Sequence, residues 1–115
     1  MSRFGHLRQA ALALPGVEEG DHRGGPAFRV RGRTFALWWA GGRRTILRLT
    51  REHQTFLFEV RPKVFEPCPV GPGVWSYVDL EALDNAEVDE LVLEAWEAIA
   101  PKAMRVIRRR DDTRG

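Results

Sequence analysis

The clearest periodicity in the chain lies in AFRVRGRTFALWW, residues 27–39, where apolar and polar positions alternate on both sides of Gly32-Arg33. Period two reads as strand, and a two-residue turn with glycine first suits a type II′ hairpin. That register sets Arg31 opposite Thr34, Val30 opposite Phe35, Arg29 opposite Ala36 and Phe28 opposite Leu37. One face then carries Phe28, Val30, Phe35 and Leu37, and the other Arg29, Arg31, Thr34, Ala36 and Trp38. Upstream, Leu7, Ala10, Ala11 and Leu14 recur at helical spacing, predicting a helix over about 3–14, capped by Ser2 and ended by Pro15-Gly16. The segment VEEGDHRGG between them is polar and glycine-rich and reads as a loop.

Downstream, residues 40–44 form a second turn into a strand from Thr45 to Leu49, with Leu47 and Leu49 inward and Ile46 and Arg48 outward. Thr50 caps a helix to about Val60 with Phe56, Leu57 and Val60 as its buried stripe, and Pro62 ends it. PKVFEPCPVGPG is turn-rich with a short strand near Phe65. VWSYVDL is a strand with Ser76, Val78 and Leu80 on one face and Trp75, Tyr77 and Asp79 on the other. Asp84 and Glu87 form a capping box for a helix whose stripe is Val88, Leu91, Val92, Ala95, Trp96 and Ile99. Pro101 breaks it, residues 102–110 form a further helical turn, and residues 111–115 read as a frayed tail. The order implies one α+β domain over 1–115: two layers, an antiparallel sheet of four to five strands, and three helices on one face. Phe28, Val30, Phe35, Leu37, Leu47, Leu49, Val78, Leu80, Leu91, Val92, Ala95 and Ile99 are expected to share its core.

Charge adds a polarity that the net value of +2 hides. From His22 to Arg51 there are eight arginines and no acid; from Cys68 to Pro101 there are eight acids and no Lys or Arg. Clustered charge selects partners, whereas mixed charge confers only solubility. Apolar content of 43% and the absence of any long apolar run are those of a globular protein with no membrane span, expected in the cytoplasm. Cys68 is the lone cysteine, so no internal disulfide or thiol metal cluster forms. His6 and His53 bear no metal-ligand spacing to His22, and no Walker A, G-x-G-x-x-G or G-x-S-x-G motif occurs. No catalytic residue, metal or cofactor is expected, and the chain does not read as an enzyme.

The string LALPGVEEGDHRGGPAFRVRGRTFA resembles the opening of the MmcQ/YjbR-like proteins, with their Leu-Pro-Gly turn and Pro-x-Phe-x-Val-x-Gly-(Lys/Arg)-x-Phe-Ala hairpin. VWSYVDL is similar to their Trp-x-x-Val-x-Leu strand, and AWEAIAPKAM to their closing helix. The resemblance implies a compact antiparallel sheet with helices on one side, related to CyaY-like or secretion-chaperone-like folds, and DNA binding by analogy of shape.

Two partner classes follow. In the first, DNA or RNA is held by Arg29, Arg31, Arg33, Arg43, Arg44 and Arg48, with Trp38 and Tyr77 stacking on bases. The turns holding Arg33 and Arg43-Arg44 fall at opposite ends of the sheet, which favours Arg29, Arg31 and Arg48 along the strands. In the second, the aromatic residues of the open sheet face, Trp38, Trp75 and Tyr77, anchor a protein partner or a homodimer. Arginine outnumbers lysine sixteen to two, so part of the basic character reflects general composition.

Overall fold

A computed structural model describes residues 3–41, 44–69 and 73–113, with side chains through 108. Helix α1 (Arg3–Leu12) leads into strands β1 (Val17–His22), β2 (Gly25–Val30), β3 (Arg33–Trp39) and β4 (Arg44–Arg48). Helix α2 (Arg51–Val60), strands β5 (Phe65–Pro67) and β6 (Trp75–Val78), and a short 3-10 turn at Leu80–Ala82 follow, then α3 (Asn85–Glu97) and α4 (Lys102–Thr113). The sheet has six strands in the order β1-β2-β3-β4-β6-β5, every neighbouring pair antiparallel. The α+β, two-layer expectation therefore holds, with one strand and one helix more than the pattern suggested. Ser2, the expected cap of α1, lies outside the described residues.

The added strand is β1. The polar segment VEEGDH pairs along its whole length with β2, from Val17 opposite Val30 to His22 opposite Gly25. It sits at the edge of the sheet, where a strand has no need of an apolar face, so no hydrophobic alternation announces it. Its link to β2 is the two-residue turn Arg23-Gly24, with φ of +50° and +89°, the positive values that type I′ hairpins require at both central positions.

The next hairpin has the same chemistry, and its register differs from the expected one. The turn is Arg31-Gly32, with φ of +49° and +80°, so Val30 faces Arg33 and Arg29 faces Thr34. A register shift then sets Phe28 opposite Ala36 and Ala27 opposite Leu37, leaving Phe35 as the extra residue of a β-bulge. Phe35 and Ala36 both enter the helix-side core. From that point β3 is inverted relative to simple alternation: Leu37, expected in the main core, lies on the opposite face with Ala27, Ile46 and Cys68.

The main core lies between the sheet and α1, α2 and α3. It gathers Leu7 and Ala11, Phe28, Val30 and Phe35, Leu47 and Leu49, Val78 and Leu80, and Val88, Leu91, Val92, Ala95, Trp96 and Ile99. Trp96 is fully buried and its indole N–H donates to the Pro15 carbonyl at 3.0 Å, fixing α3 to the end of α1. Asp84 and Glu87 form the expected capping box.

Helix α2 departs from the expected stripe. Leu57 is buried, but Phe56 and Val60 stand exposed, at 59% and 52%, and Gln54 is buried instead. The Gln54 amide donates to Ser76 Oγ at 2.8 Å and to the Trp75 carbonyl at 3.2 Å. The bond to Ser76 satisfies a buried hydroxyl of β6 that an apolar stripe would leave unpaired, and the bond to Trp75 adds a second donor to a carbonyl already bonded by the Cys68 N–H, so the helix turns Gln54, Leu57 and Phe58 toward the sheet. Above this contact, Glu94 of α3 accepts from the Thr50 backbone N–H and pairs with His53.

The uncovered sheet face as candidate functional site

The face of the sheet turned away from α1–α3 is built by cross-strand neighbours, because directly opposed residues in an antiparallel pair share a face. One row crosses the sheet through Ala27, Leu37, Ile46, Tyr77 and Glu66. On one side of it Trp39 stands opposite Arg44; on the other, Arg48 stands opposite Trp75. Small and medium residues in the middle, flanked by large rings, make a concavity. It is a cleft of about 410 Å³ with Leu37, Ile46 and Cys68 in its floor, Trp39, Tyr77 and Trp75 in its walls, and His22 and Arg23 at its mouth.

Trp39 and Tyr77 stack with ring centroids 6.0 Å apart and planes inclined by 24°. The Arg44 guanidinium lies 3.9 Å from the Tyr77 ring centroid and bonds Glu66 at 2.6 Å, so that cation is held by an aromatic face and an acid together. Partial burial, then hydrogen bonding to Cys68 and the charge of its thiolate, push the Tyr77 phenol above its ordinary value of 10.0; Arg44 partly opposes them and Glu66 adds to them. At physiological pH Tyr77 is therefore a neutral hydroxyl at the side of an apolar cleft.

The residues expected to bind nucleic acid divide into groups. Arg44, Arg48 and Tyr77 share the uncovered face. Arg29 is there too, but its Nε donates to Thr34 Oγ1 at 3.2 Å and its Nη2 to the Asp21 carbonyl at 3.0 Å, fastening β2 to both neighbours. Glu18 of β1 stands opposite Arg29. Arg31 and Arg33 are exposed at the β2–β3 turn, at the far end of β3 from Trp39, and Arg43 lies outside the described residues. Trp38 is not on this face. The bulge at Phe35 sends it to the helix side, where it meets Phe4 of α1 edge-on at 5.7 Å.

Sequence reasoning thus assigned the wrong member of the Trp38-Trp39 pair. Two consecutive strand residues must point to opposite faces, and only the position of the bulge decides which ring goes where. It also missed Glu18 and Glu66, because β1 was not foreseen as a strand and β5 only as a short one. The face is consequently less uniformly basic than expected. The acids of α3, by contrast, lie in the helix layer, on the opposite side of the sheet. Among the described residues there is no grouping of His, Cys, Asp and Glu that would hold a metal ion, and no helix is long and apolar enough to cross a membrane.

Fold and face together define an α+β protein built on one open antiparallel sheet, helices on one side and an aromatic cleft on the other. The chain belongs to the YjbR family, whose model matches residues 12–98. Its fold is similar to that in the crystal structure of Deinococcus radiodurans protein DR2400, which carries domain DUF419. The TM-score is 0.73 at 21% identity, over 86% of this chain and 82% of that one. No curated protein matches the chain.

Proposed function

We propose that this protein binds nucleic acid on its uncovered sheet face, with single strands preferred over duplex. The observation that carries the reading is the division of charge across the sheet. Arg29, Arg44 and Arg48 lie on the uncovered face and Arg23 and Arg31 at the hairpin turns beside it, against the two acids Glu18 and Glu66, while α3 carries its acids on the other side. Phosphate oxygens are the commonest targets of such guanidinium groups, and exposed rings favour unpaired bases over a closed helix. Trp39 and Tyr77 take the stacking role that the sequence suggested for Trp38 and Tyr77.

The test is a titration of one fluorescent strand, single and duplexed, at several salt concentrations. Binding should weaken steeply from low to moderate salt and favour the single strand. A protein with no affinity for either form at low salt overturns the reading.

A second reading is an interaction module, homodimeric or heteromeric, that carries no nucleic acid. The apolar cluster of Ala27, Leu37, Ile46 and Cys68, with Trp75 and Tyr77 against it, favours this reading, since among the described residues no helical side chain packs against it. An association of that kind would barely respond to salt, so the same titration, accompanied by a mass measurement in solution, separates the two.

A further inference from the structure

Resting on the nucleic-acid reading, we infer that the cleft between Trp39, Tyr77 and Trp75 is a single-nucleotide subsite, seating one unstacked base with its phosphate toward Arg23 and His22. Its volume of about 410 Å³ falls at the small end of the range typical of ligand pockets. That suits one flat heterocycle and its sugar, and not a run of stacked bases. Three of the residues in its walls are aromatic, and Leu37 and Ile46 make an apolar floor. Such a lining rewards a planar, polarisable ring and offers little to a hydrated chain of phosphates.

The mouth supplies the other half of the match. Arg23 is exposed, with φ of +50°, at the tip of the β1–β2 hairpin that borders the cleft. Glu66, the cross-strand partner of Tyr77, is already bonded to Arg44, so it does not repel an incoming anion at full strength. Arg48, the cross-strand partner of Trp75, adds a second cation beside the opposite wall. Among the described residues neither Arg23 nor Arg48 has an ion-pair partner. An apolar peptide side chain would fill the floor equally well but would leave these cations without a counter-charge. A base joined to a phosphate satisfies both parts.

The experiment compares a short single strand with an abasic strand of the same length and phosphate count, at one salt concentration. It uses the full chain, Trp39→Ala, Trp39→Phe and Arg23→Ala. The wild type should bind the intact strand about tenfold or more tightly than the abasic one, since stacking of a base on an aromatic side chain is worth that much. Trp39→Ala should remove this preference while leaving affinity for the abasic strand unchanged, and Trp39→Phe should restore part of it. Arg23→Ala should weaken both strands. Trp39 is 38% exposed, so its replacement leaves the main core intact, and thermal melts of each variant verify this. Equal binding of intact and abasic strands by the wild type overturns the subsite while the nucleic-acid reading stands. Failure of both strands to bind removes that reading, and the subsite with it. Self-association that disappears in Trp39→Ala, without any base dependence, overturns the subsite in favour of a second copy of the chain as occupant.

Discussion

Arg44 and Tyr77 are bound face to cation, the guanidinium 3.9 Å from the ring centroid, although 33 positions separate them in sequence and the ring belongs to a strand laid down after α2. The contact exists because β6 inserts between β4 and β5 instead of adding to the edge. It places the one tyrosine of the chain between a cation and a thiol.

That single tyrosine makes an optical titration specific. Absorbance of the phenolate should rise with a midpoint above 10.0, because burial and Cys68 both disfavour ionisation. Cys68→Ala should lower the midpoint and Arg44→Ala should raise it further. The sign for stability follows: with the folded phenol the weaker acid, the unfolded chain binds fewer protons above pH 10, so stability is intact below that value and declines as pH rises through the folded midpoint. A midpoint at or below 10.0 in the wild type would contradict the partly buried, Cys68-bonded environment of Tyr77.

The bond from Gln54 to Ser76 is a polar link between α2 and the sheet in which both residues are buried. Gln54→Ala should destabilise by about 1–3 kcal/mol, the cost of leaving the buried Ser76 hydroxyl without its partner, since the Trp75 carbonyl keeps the Cys68 N–H as a donor. In a urea double-mutant cycle with Ser76→Ala the two changes should couple by about 0.5 kcal/mol or more. Strict additivity would show that the amide is solvated instead.

Two glycines give opposite expectations. A Cβ at Gly25 would collide with the Trp38 carbonyl oxygen, a backbone atom of the paired strand that cannot move aside. Gly25→Ala should therefore cost about 1–3 kcal/mol in denaturant unfolding. Gly5 lies inside α1 with nothing within 4 Å of an added Cβ, so Gly5→Ala should stabilise by about 0.5–1 kcal/mol.

Salt dependence should distinguish free arginines from tied ones. If Arg48 contacts a phosphate of a single strand, Arg48→Ala reduces the slope of log K against log salt by about 0.7. Arg44→Ala should reduce it by less, because Glu66 already neutralises that group. Arg29→Ala should also lower stability, through the lost bonds to Thr34 and Asp21. Binding isotherms at several salt concentrations, with a melt of each variant, provide the comparison.

What the sequence determined by itself was whatever local periodicity and capping encode. The stripe from Val88 to Ile99, the Asp84–Glu87 box, the Thr50 cap and the faces of β4 and β6 were all legible, because each depends on residues within a few positions of one another. The tertiary structure decided three things that local pattern cannot hold. Edge strand β1 has no apolar face to announce it and exists because β2 offers a row of backbone partners. Gln54 displaces Phe56 and Val60 from the buried side of α2 because the buried Ser76 hydroxyl, more than twenty positions away, needs a partner. And the bulge at Phe35 shifts a period-two pattern by one residue, invisible in a list of apolar positions yet enough to put Trp38 under α1 and Trp39 on the uncovered face. Strand alternation fixes which residues oppose one another in direction; only pairing with a particular neighbour fixes which direction faces the core.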